Sequence, residues 1–345
     1  MNRFSFLRAF LLGIVLVSPG IIPHVCIASE LVASSRITVT DFRGKTISLD
    51  RPAGRIVCLI ESALSGLYML GAADRVVGIS ANVYQGDVYP YYAAMDPRIA
   101  EKSLPAPGNW DFVNIERVIA LDPDLVIIWS RQEESIRAIE ERGIPVFGVF
   151  IGSFEDIYRE MRALGKLTGT SERAGQLIDA AKEELTRIGA KTQTVGKRPR
   201  VYFMWSQGEL ETSGSKSTVH ELITLAGGEN VCGGIEQEHL VVNMERVLAW
   251  DPEVIVLWVN ERKGPKDILD SPIWQGVRAV RTQNVHELPD VFSSDLWTLK
   301  FQYVVKLLAE WCHPDVYGEA DLEKERREIF VKLYGEKILP ALSPR

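Results

Sequence analysis

A segment of 17 residues occurs twice in the chain, and this internal repeat restricts the possible folds more than any other feature. Residues 113–129 and 242–258 are identical at 9 of 17 positions, and most other positions exchange one apolar residue for another. The two copies lie 129 residues apart in a chain of 345. A repeat at this distance predicts two similar lobes rather than one large domain. The cleft between such lobes is where we expect the function.

Each copy of the repeat predicts the same short structural unit. Asn114 and Asn243 are of the residue type that caps helices, so a short helix is expected to begin directly after each of them. An Asp-Pro pair should end the helix, because the residue before a proline avoids the helical conformation. The unbroken apolar run that follows is typical of a buried parallel strand.

The segments around the first copy alternate between strand and helix patterns. A β-hairpin is expected over residues 37–49, where apolar and polar residues alternate around a glycine-containing turn. The first lobe then continues as strand 55–60, helix 62–70, strand 75–79, the first repeat copy, helix 132–142 and strand 145–149. This order predicts an α/β fold in which helices surround a mostly parallel sheet.

The second lobe repeats this order but is shorter. A strand over residues 200–205 opens it, and residues 216–234 align with residues 61–79 at an offset of 155 rather than 129. The first lobe therefore holds 26 additional residues between Val77 and Asn114. An aromatic-rich loop on a duplicated scaffold is a candidate ligand surface. The insertion contains the aromatic residues Tyr84, Tyr89, Tyr91, Tyr92 and Trp110, among others.

The helical patterns set the expected domain boundaries. We expect an N-terminal lobe at 29–152, linking helices at 153–191, a C-terminal lobe at 197–315, and a C-terminal helix and tail at 316–345. The linking helices should break around Gly165 and Gly169, and the second should span about 27 Å at 1.5 Å per residue. A helix is a stiff connector, so the lobes should keep a fixed spacing. Residues 296–311 and 320–334 predict amphipathic helices.

Residues 1–28 have the pattern of a secretory signal peptide. Arg3 and Arg8 precede a short apolar run, and residues 26–28 form an acceptable small-residue cleavage site. The three residues before Cys26 lack the small residue that lipidation signals normally need, so we do not expect a lipid anchor there. Removal of the two arginines changes the formal net charge from −7 to −9, which argues against nucleic acid or an anionic membrane as the partner.

Neither enzymatic chemistry nor capture of a bare metal ion is indicated. The chain has no P-loop, no GxGxxG, no GxSxG and no CxxC motif. Binding of free zinc or manganese requires several histidines and carboxylates that converge. Beyond the signal peptide the only histidines are His220, His239, His286 and His313, and the first and last of these lie on predicted helices.

Several motifs occur in an order that is found in a known family. They are the hairpin at 37–41, the segment 70–78, the two repeat copies, and the segments 213–218 and 226–231. In this order the chain resembles the periplasmic substrate-binding proteins of iron–siderophore, haem, cobalamin and molybdate ABC importers. The resemblance covers essentially the whole mature chain. It implies two Rossmann-like lobes joined by a single long α-helix, a periplasmic monomer without a cofactor, and an ABC importer permease as partner.

The resemblance also implies a role for one glutamate in each lobe. In the cobalamin-binding members, a glutamate in each lobe's equivalent segment docks onto arginines of the permease. Glu116 and Glu245 occupy these positions here, so the resemblance implies that they dock. The alternative is that a glutamate in a helix's first turn only complements the helix dipole. We expect Arg117 and Arg246 to form local pairs.

The ligand should lie beyond the carboxyl ends of the parallel strands. That rule selects residues directly after predicted strands, and cleft loops of the cobalamin binder suggest others. The resulting candidates are Glu61, Ser62, Tyr84, Tyr91, Trp110, Ser130, Arg131, Trp205, Ser206, His239, Asp295 and Trp297. Trp129 and Trp258 fit the core or the ligand site equally well. Arg131 and His239 could each also be merely solvated.

The ligand class stays open between two kinds of molecule. Tryptophan and tyrosine rings offer a large contact area at little entropic cost, which favours a planar or bulky metal chelate such as a siderophore, haem or a corrinoid. A molybdate or tungstate oxyanion would instead need backbone N–H groups and hydroxyls in a tight pocket. A two-lobed redox or chelatase-type enzyme is a further alternative.

Overall fold

The computed structural model describes residues 36–192, 194–259, 263–318 and 321–342. The predicted signal peptide at residues 1–28 and the position Cys26 lie outside these residues. The described chain begins with the predicted antiparallel hairpin, which is formed by β1 (Ile37–Thr40) and β2 (Thr46–Leu49).

A parallel four-stranded sheet forms the centre of the first lobe. Its strands are β3 (Ile56–Cys58), β4 (Val76–Ile79), β5 (Leu125–Trp129) and β6 (Val146–Val149), in the spatial order β4-β3-β5-β6. The helices of this lobe are α1 (Glu61–Met69), α2 (Tyr89–Met95), α3 (Pro97–Ala100), α4 (Ile115–Ala120) and α5 (Glu133–Glu140). The strands are almost completely buried, as expected for a sheet that helices cover on both faces.

Two packed helices follow the first lobe, and one of them differs from the prediction. They are α6 (Phe154–Thr168) and α7 (Ser171–Thr192), and α6 ends at Gly169, whose φ is 70°. The predicted break at Gly165 is wrong, because α6 continues through it. A Cβ atom at Gly165 would lie 2.8 Å from the Cβ of Ala174, so the glycine is needed for the close approach of α7.

The second lobe has the same sheet topology as the first. Its strands are β7 (Arg200–Met204), β8 (Glu211–Thr212), β9 (Glu229–Asn230), β10 (Leu240–Val241), β11 (Val254–Leu257) and β12 (Val285–Glu287). The parallel sheet has the order β12-β11-β7-β9, while β8 and β10 form a separate antiparallel ribbon. The helices are α8 (Thr218–Leu225), α9 (Met244–Trp250), α10 (Pro265–Leu269), α11 (Arg278–Arg281) and α12 (Phe301–Cys312).

The helices of the two repeat copies begin as predicted. The side-chain oxygens of Asn114 and Asn243 each accept the main-chain N–H three residues further on, at 2.9 Å. Apolar residues before and after each cap pack together in the interior, an arrangement that fixes how the chain enters a helix. These buried residues are Val113, Val118, Val242 and Val247.

The ends of these two helices are also alike. Asp122 and Asp251 each precede a proline and have positive φ values of 47° and 43°, a conformation that aspartate adopts more readily than most residues. Arg55 and Arg200, at the start of the neighbouring strands, donate hydrogen bonds to the carbonyl oxygens at these helix ends over 2.7–2.9 Å. The repeated sequence therefore encodes the same folded unit twice.

Helix α7 makes contacts in both lobes. Near its start, Arg173 donates to the carbonyl oxygen of Met69 in the first lobe at 3.3 Å. Near its end, the carbonyl oxygen of Ile188 accepts the hydroxyl of Tyr317 at 3.1 Å. Its 22 residues correspond to about 33 Å of helix. The prediction of two α/β lobes joined by one long helix is confirmed.

The last described helices lead the chain from the second lobe back to the first lobe. They are α13 (Pro314–Tyr317), α14 (Leu322–Tyr334) and α15 (Leu339–Leu342). The hydroxyl of Tyr334 in α14 forms a hydrogen bond with that of Ser65 in α1, and α15 packs on α2. Helices α14 and α15 therefore form a second connection between the lobes. Within the described ranges, no helix is long and apolar enough to cross a membrane.

The packing at Gly165 gives a test of the link between α6 and α7. Gly165→Ala should lower the free energy of unfolding by about 1–3 kcal/mol, because the new methyl group overlaps Ala174 in a filled interface. Gly175→Ala in α7 is the matched control, since a Cβ atom there meets nothing within 4 Å. It should raise the free energy of unfolding by about 0.5–1 kcal/mol through helix propensity alone. Urea unfolding measures both, and a stabilising effect at Gly165 would contradict the close packing.

Candidate ligand-binding cleft

A cleft of about 780 Å³ lies between the two lobes at the carboxyl ends of the strands. The first lobe contributes residues that follow β3, β5 and β6, and the second lobe contributes the residue after β11 and the segment 291–300. This is the position that open parallel sheets favour for ligands. Pockets of this volume suit a molecule of several hundred daltons.

Two tryptophans from each lobe form much of the cleft wall. Trp110 and Trp129 meet edge to face on the first lobe, with ring centroids 6.4 Å apart. Trp258 and Trp297 pack at a tilt on the second lobe, with centroids 5.8 Å apart. Trp129 and Trp258 occupy equivalent positions of the repeat, so the duplication itself places one indole from each lobe in the cleft.

The loop that carries Trp110 has a fixed conformation. The side-chain oxygen of Asn109 accepts the N–H groups of Asp111 and Phe112, each at 2.9 Å, and its amide donates to Asn82 at 2.9 Å. A Cβ atom at Gly108 would lie 2.3 Å from the carbonyl oxygen of Phe112, so the loop requires glycine there. Trp110 is 46% exposed, which leaves its ring available to a ligand.

Asp295 organises the second-lobe side of the cleft. One of its carboxylate oxygens accepts the main-chain N–H of Trp297 at 2.9 Å, and the other lies 3.2 Å from the Nζ atom of Lys300. Lys300 is 1% exposed, and its Nζ atom lies 3.8 Å from the ring centroid of Phe292. Burial lowers the pKa of Lys300, and the carboxylate of Asp295 opposes this shift. Asp295 thus both positions Trp297 and neutralises a buried ammonium group.

Glu61 lies at the start of α1 and lines the cleft beside Ser62. The hydroxyl of Ser80 donates to its carboxylate at 2.6 Å. Burial raises the pKa of Glu61, and the nearby negative charge of Asp295 adds to this shift. Among the ion pairs that the described residues form, none includes Glu61.

Arg131 lines the cleft and is exposed. Its guanidinium carbon lies 4.7 Å from the ring centroid of Phe150 and 5.6 Å from that of Trp129. Cation–π contacts of this kind hold the guanidinium against the aromatic wall. The free edge of the group could still bind a ligand acceptor.

Six of the twelve candidate residues do not line this cleft, and Tyr84, Tyr91 and Ser130 are three of them. The Tyr84 hydroxyl donates to the carbonyl oxygen of Leu104 at 2.9 Å. Tyr91 is 8% exposed and stacks on Phe292 with centroids 4.3 Å apart. Ser130 follows β5 and donates its main-chain N–H to Val149. The insertion therefore also contacts the second lobe, because Tyr91 packs against the loop that carries Phe292.

Trp205, Ser206 and His239 line smaller hollows beside the cleft. Trp205 and His239 border a hollow of about 150 Å³ that shares Trp297 with the main cleft. The indole N–H of Trp205 donates to Ser213 at 2.8 Å, and its ring stacks on Trp297 with centroids 6.2 Å apart. The Nε2 atom of His239 lies 2.5 Å from a carboxylate oxygen of Glu211. Ser206 borders another hollow of about 230 Å³.

Sequence reasoning missed several residues of the lining. Phe150 follows β6 directly, so the strand-end rule could have found it. Lys300 and Phe292 come from a turn-rich segment whose pattern gave no signal. The remaining missed side chains of polar character are Asn82, Gln85, Asp87, Gln207 and Glu238. In the part of the chain that is described, no three His, Cys, Asp or Glu side chains are grouped so that they could hold a metal ion.

Glu116 and Glu245 lie in the first turns of α4 and α9, and both are exposed. Neither side chain has a partner among the described residues. The local ion pairs expected for Arg117 and Arg246 do not form within the same residues; the guanidinium of Arg246 instead lies 5.4 Å from the ring centroid of Trp250.

Two α/β lobes with an open aromatic cleft between them define a solute-binding protein. Comparison with known proteins agrees with this class, because the pattern of the family described as periplasmic binding protein matches residues 56–291. The chain therefore belongs to the periplasmic binding protein family.

Three relatives illustrate the family. An uncharacterized ABC transporter substrate-binding lipoprotein of Bacillus subtilis is 24% identical over 292 residues, 82% of this chain and 87% of the relative. A vitamin B12-binding protein of Vibrio parahaemolyticus is 24% identical over 257 residues, 74% of this chain and 84% of the relative. The solved structure of the molybdate-binding protein MolA of Haemophilus influenzae, bound to molybdate, has a TM-score of 0.74 at 22% identity and covers 86% of this chain and 97% of its own.

These relatives are binding proteins, so the expectation that the chain is not an enzyme is confirmed. The alternative of a redox or chelatase-type enzyme is not supported.

The pair of Asp295 and Lys300 gives a stability test. Asp295→Asn should lower the free energy of unfolding by about 3–5 kcal/mol, because it leaves a buried ammonium group without a countercharge. Combining it with Lys300→Met should restore most of this loss, because the buried charge is then absent. Asp87→Asn, at an exposed position of the same cleft, should change the free energy of unfolding by less than about 0.5 kcal/mol. Equal losses in the single and double variants, measured by urea unfolding, would contradict the pairing.

Proposed function

We propose that the chain captures a metal chelate, such as a siderophore, haem or a corrinoid, in the interlobe cleft and delivers it to the permease of an ABC importer. In this proposal it acts in the periplasm as a monomer and performs no chemistry on its ligand. The observation that carries the proposal is the cleft of about 780 Å³ with tryptophans from both lobes in its wall.

The size of the cleft favours a chelate over a small anion. A cleft of this volume buries most of the surface of a molecule of several hundred daltons, whereas one tetrahedral ion would leave nearly all of it unfilled. The tryptophan rings provide flat apolar faces, which suit a planar or bulky ligand. A molybdate or tungstate ion is the alternative ligand, because a molybdate-binding relative has the same fold.

Ligand binding can be measured through the tryptophans themselves. Titration with siderophore complexes, haem, cyanocobalamin and molybdate should quench the fluorescence with at least one chelate. Trp297→Ala should weaken binding of that chelate by about tenfold, which corresponds to about 1.4 kcal/mol, because a wall of the cleft is lost. Trp311→Phe is the matched control, since Trp311 stacks on His286 away from the cleft and should leave the affinity unchanged. Binding of molybdate alone would reject the chelate.

The internal repeat supports docking through Glu116 and Glu245. Most of the positions that are identical in the two copies have a role in folding, because they cap the helix, fill the core, form the Asp-Pro turn or line the cleft. The two glutamates are identical but exposed and unpaired among the described residues. A partner with two equivalent binding sites would require the same side chain on each lobe. A homodimeric permease with basic residues facing the periplasm is such a partner.

Removal of both glutamates should separate docking from ligand binding. The double variant Glu116→Ala, Glu245→Ala should reduce uptake of the ligand through the permease by at least about tenfold, the equivalent of about 1.4 kcal/mol. Its ligand affinity and its unfolding midpoint should equal those of the unchanged protein. Glu134→Ala, at an exposed position in the first turn of α5, is the control and should transport normally. Normal uptake by the double variant would reject the docking role.

A further inference from the structure

The charged side chains of the cleft are unequal in number. Four carboxylates line it, from Glu61, Asp87, Glu238 and Asp295, against the two cations Arg131 and Lys300. Four acids against two bases leave an excess of two formal negative charges around the ligand. An apolar wall strengthens the effect of such charges, because it lowers the local dielectric constant.

Neither cation offers the ligand a positive charge that is both buried and uncompensated. Lys300 is buried, and its Nζ atom lies 3.2 Å from Asp295, so the charge of Lys300 is already compensated. The guanidinium of Arg131 is exposed to solvent and lies over the rings of Phe150 and Trp129. A ligand would therefore meet one solvent-screened cation and no free buried one among the described side chains.

Glu61 is the least compensated of the acids. Its side-chain hydrogen bonds are with neutral groups, the hydroxyl of Ser80 at 2.6 Å and the side chain of Asn82, and it forms no ion pair with a described residue. Its removal from water penalises the charged carboxylate, and the negative charge of Asp295 adds to the penalty. A positive or hydrogen-bond-donating group placed on Glu61 would relieve both effects, whereas an anionic group would increase them.

We propose that the cleft selects chelates without net negative charge, and that Glu61 receives a cationic or hydrogen-bond-donating group of the ligand. This inference rests on the proposed function and narrows it to one class of substrate. It sets uncharged and cationic complexes apart from tris(catecholate) iron complexes and from molybdate. The apolar walls contact the body of the chelate, and Glu61 orients the chelate by receiving its cationic or hydrogen-bond-donating group.

Four probes of different charge test the inference on the purified full-length protein. They are cationic ferrioxamine B, uncharged cyanocobalamin, the trianionic ferric tris(catecholate) complex and the dianion molybdate. Ferrioxamine B or cyanocobalamin should bind at least tenfold more tightly than either anion. Glu61→Gln should weaken binding of the cationic probe by at least fivefold. Glu101→Gln, at an exposed position outside the cleft, should leave it unchanged.

The salt dependence provides a second measurement that needs no variant. The dissociation constant of ferrioxamine B should rise with sodium chloride concentration, because salt screens the attraction between opposite charges. Tightest binding of the tris(catecholate) complex would overturn the charge selection and leave the proposed function intact. Tightest binding of molybdate, or no binding of any probe, would overturn both.

Discussion

The helical hairpin of α6 and α7 is the constraint on which the rest of the structure depends. Its two helices approach closely at Gly165, and each reaches into the second lobe. At the start of α6, the N–H of Phe154 donates to the carboxylate of Glu221 at 2.6 Å, and the Phe154 ring stacks on Phe301 with centroids 4.0 Å apart. Helix α14 forms a second connection between the lobes, so the packing of helices sets their spacing. The cleft is therefore largely formed before a ligand arrives, which reduces the entropic cost of binding.

Within that fixed spacing, Asp295 couples the aromatic and the electrostatic parts of the site. The same carboxylate accepts the main-chain N–H of Trp297 and neutralises the ammonium group of Lys300. The position of Trp297 in the cleft wall thus depends on a buried ion pair. Glu61, on the opposite lobe, is left with neutral donors only. Asp295 therefore contributes both to the stability of the second lobe and to the negative charge of the cleft.

The sequence predicted the fold better than the site, for physical reasons. The caps at Asn114 and Asn243 and the buried strands after them are local patterns, so they could be read directly. The prediction of a break at Gly165 is wrong because a helical glycine can mark either a break or a close contact, and only the packed structure distinguishes them.

Four residues that the strand-end rule selects lie in the cleft wall, namely Glu61, Ser62, Arg131 and Asp295. The rule could not tell that Tyr91 packs on Phe292, because that contact joins the two lobes, or that Lys300 lies in the cleft wall, because its turn-rich segment has no strand pattern. The bound ligand can be identified most directly by native mass spectrometry and elemental analysis of the protein purified from cells that export it. We expect one organic ligand that carries a metal and has no net negative charge. A bound oxyanion without an organic ligand, or conversion of any bound compound into a product, would contradict it.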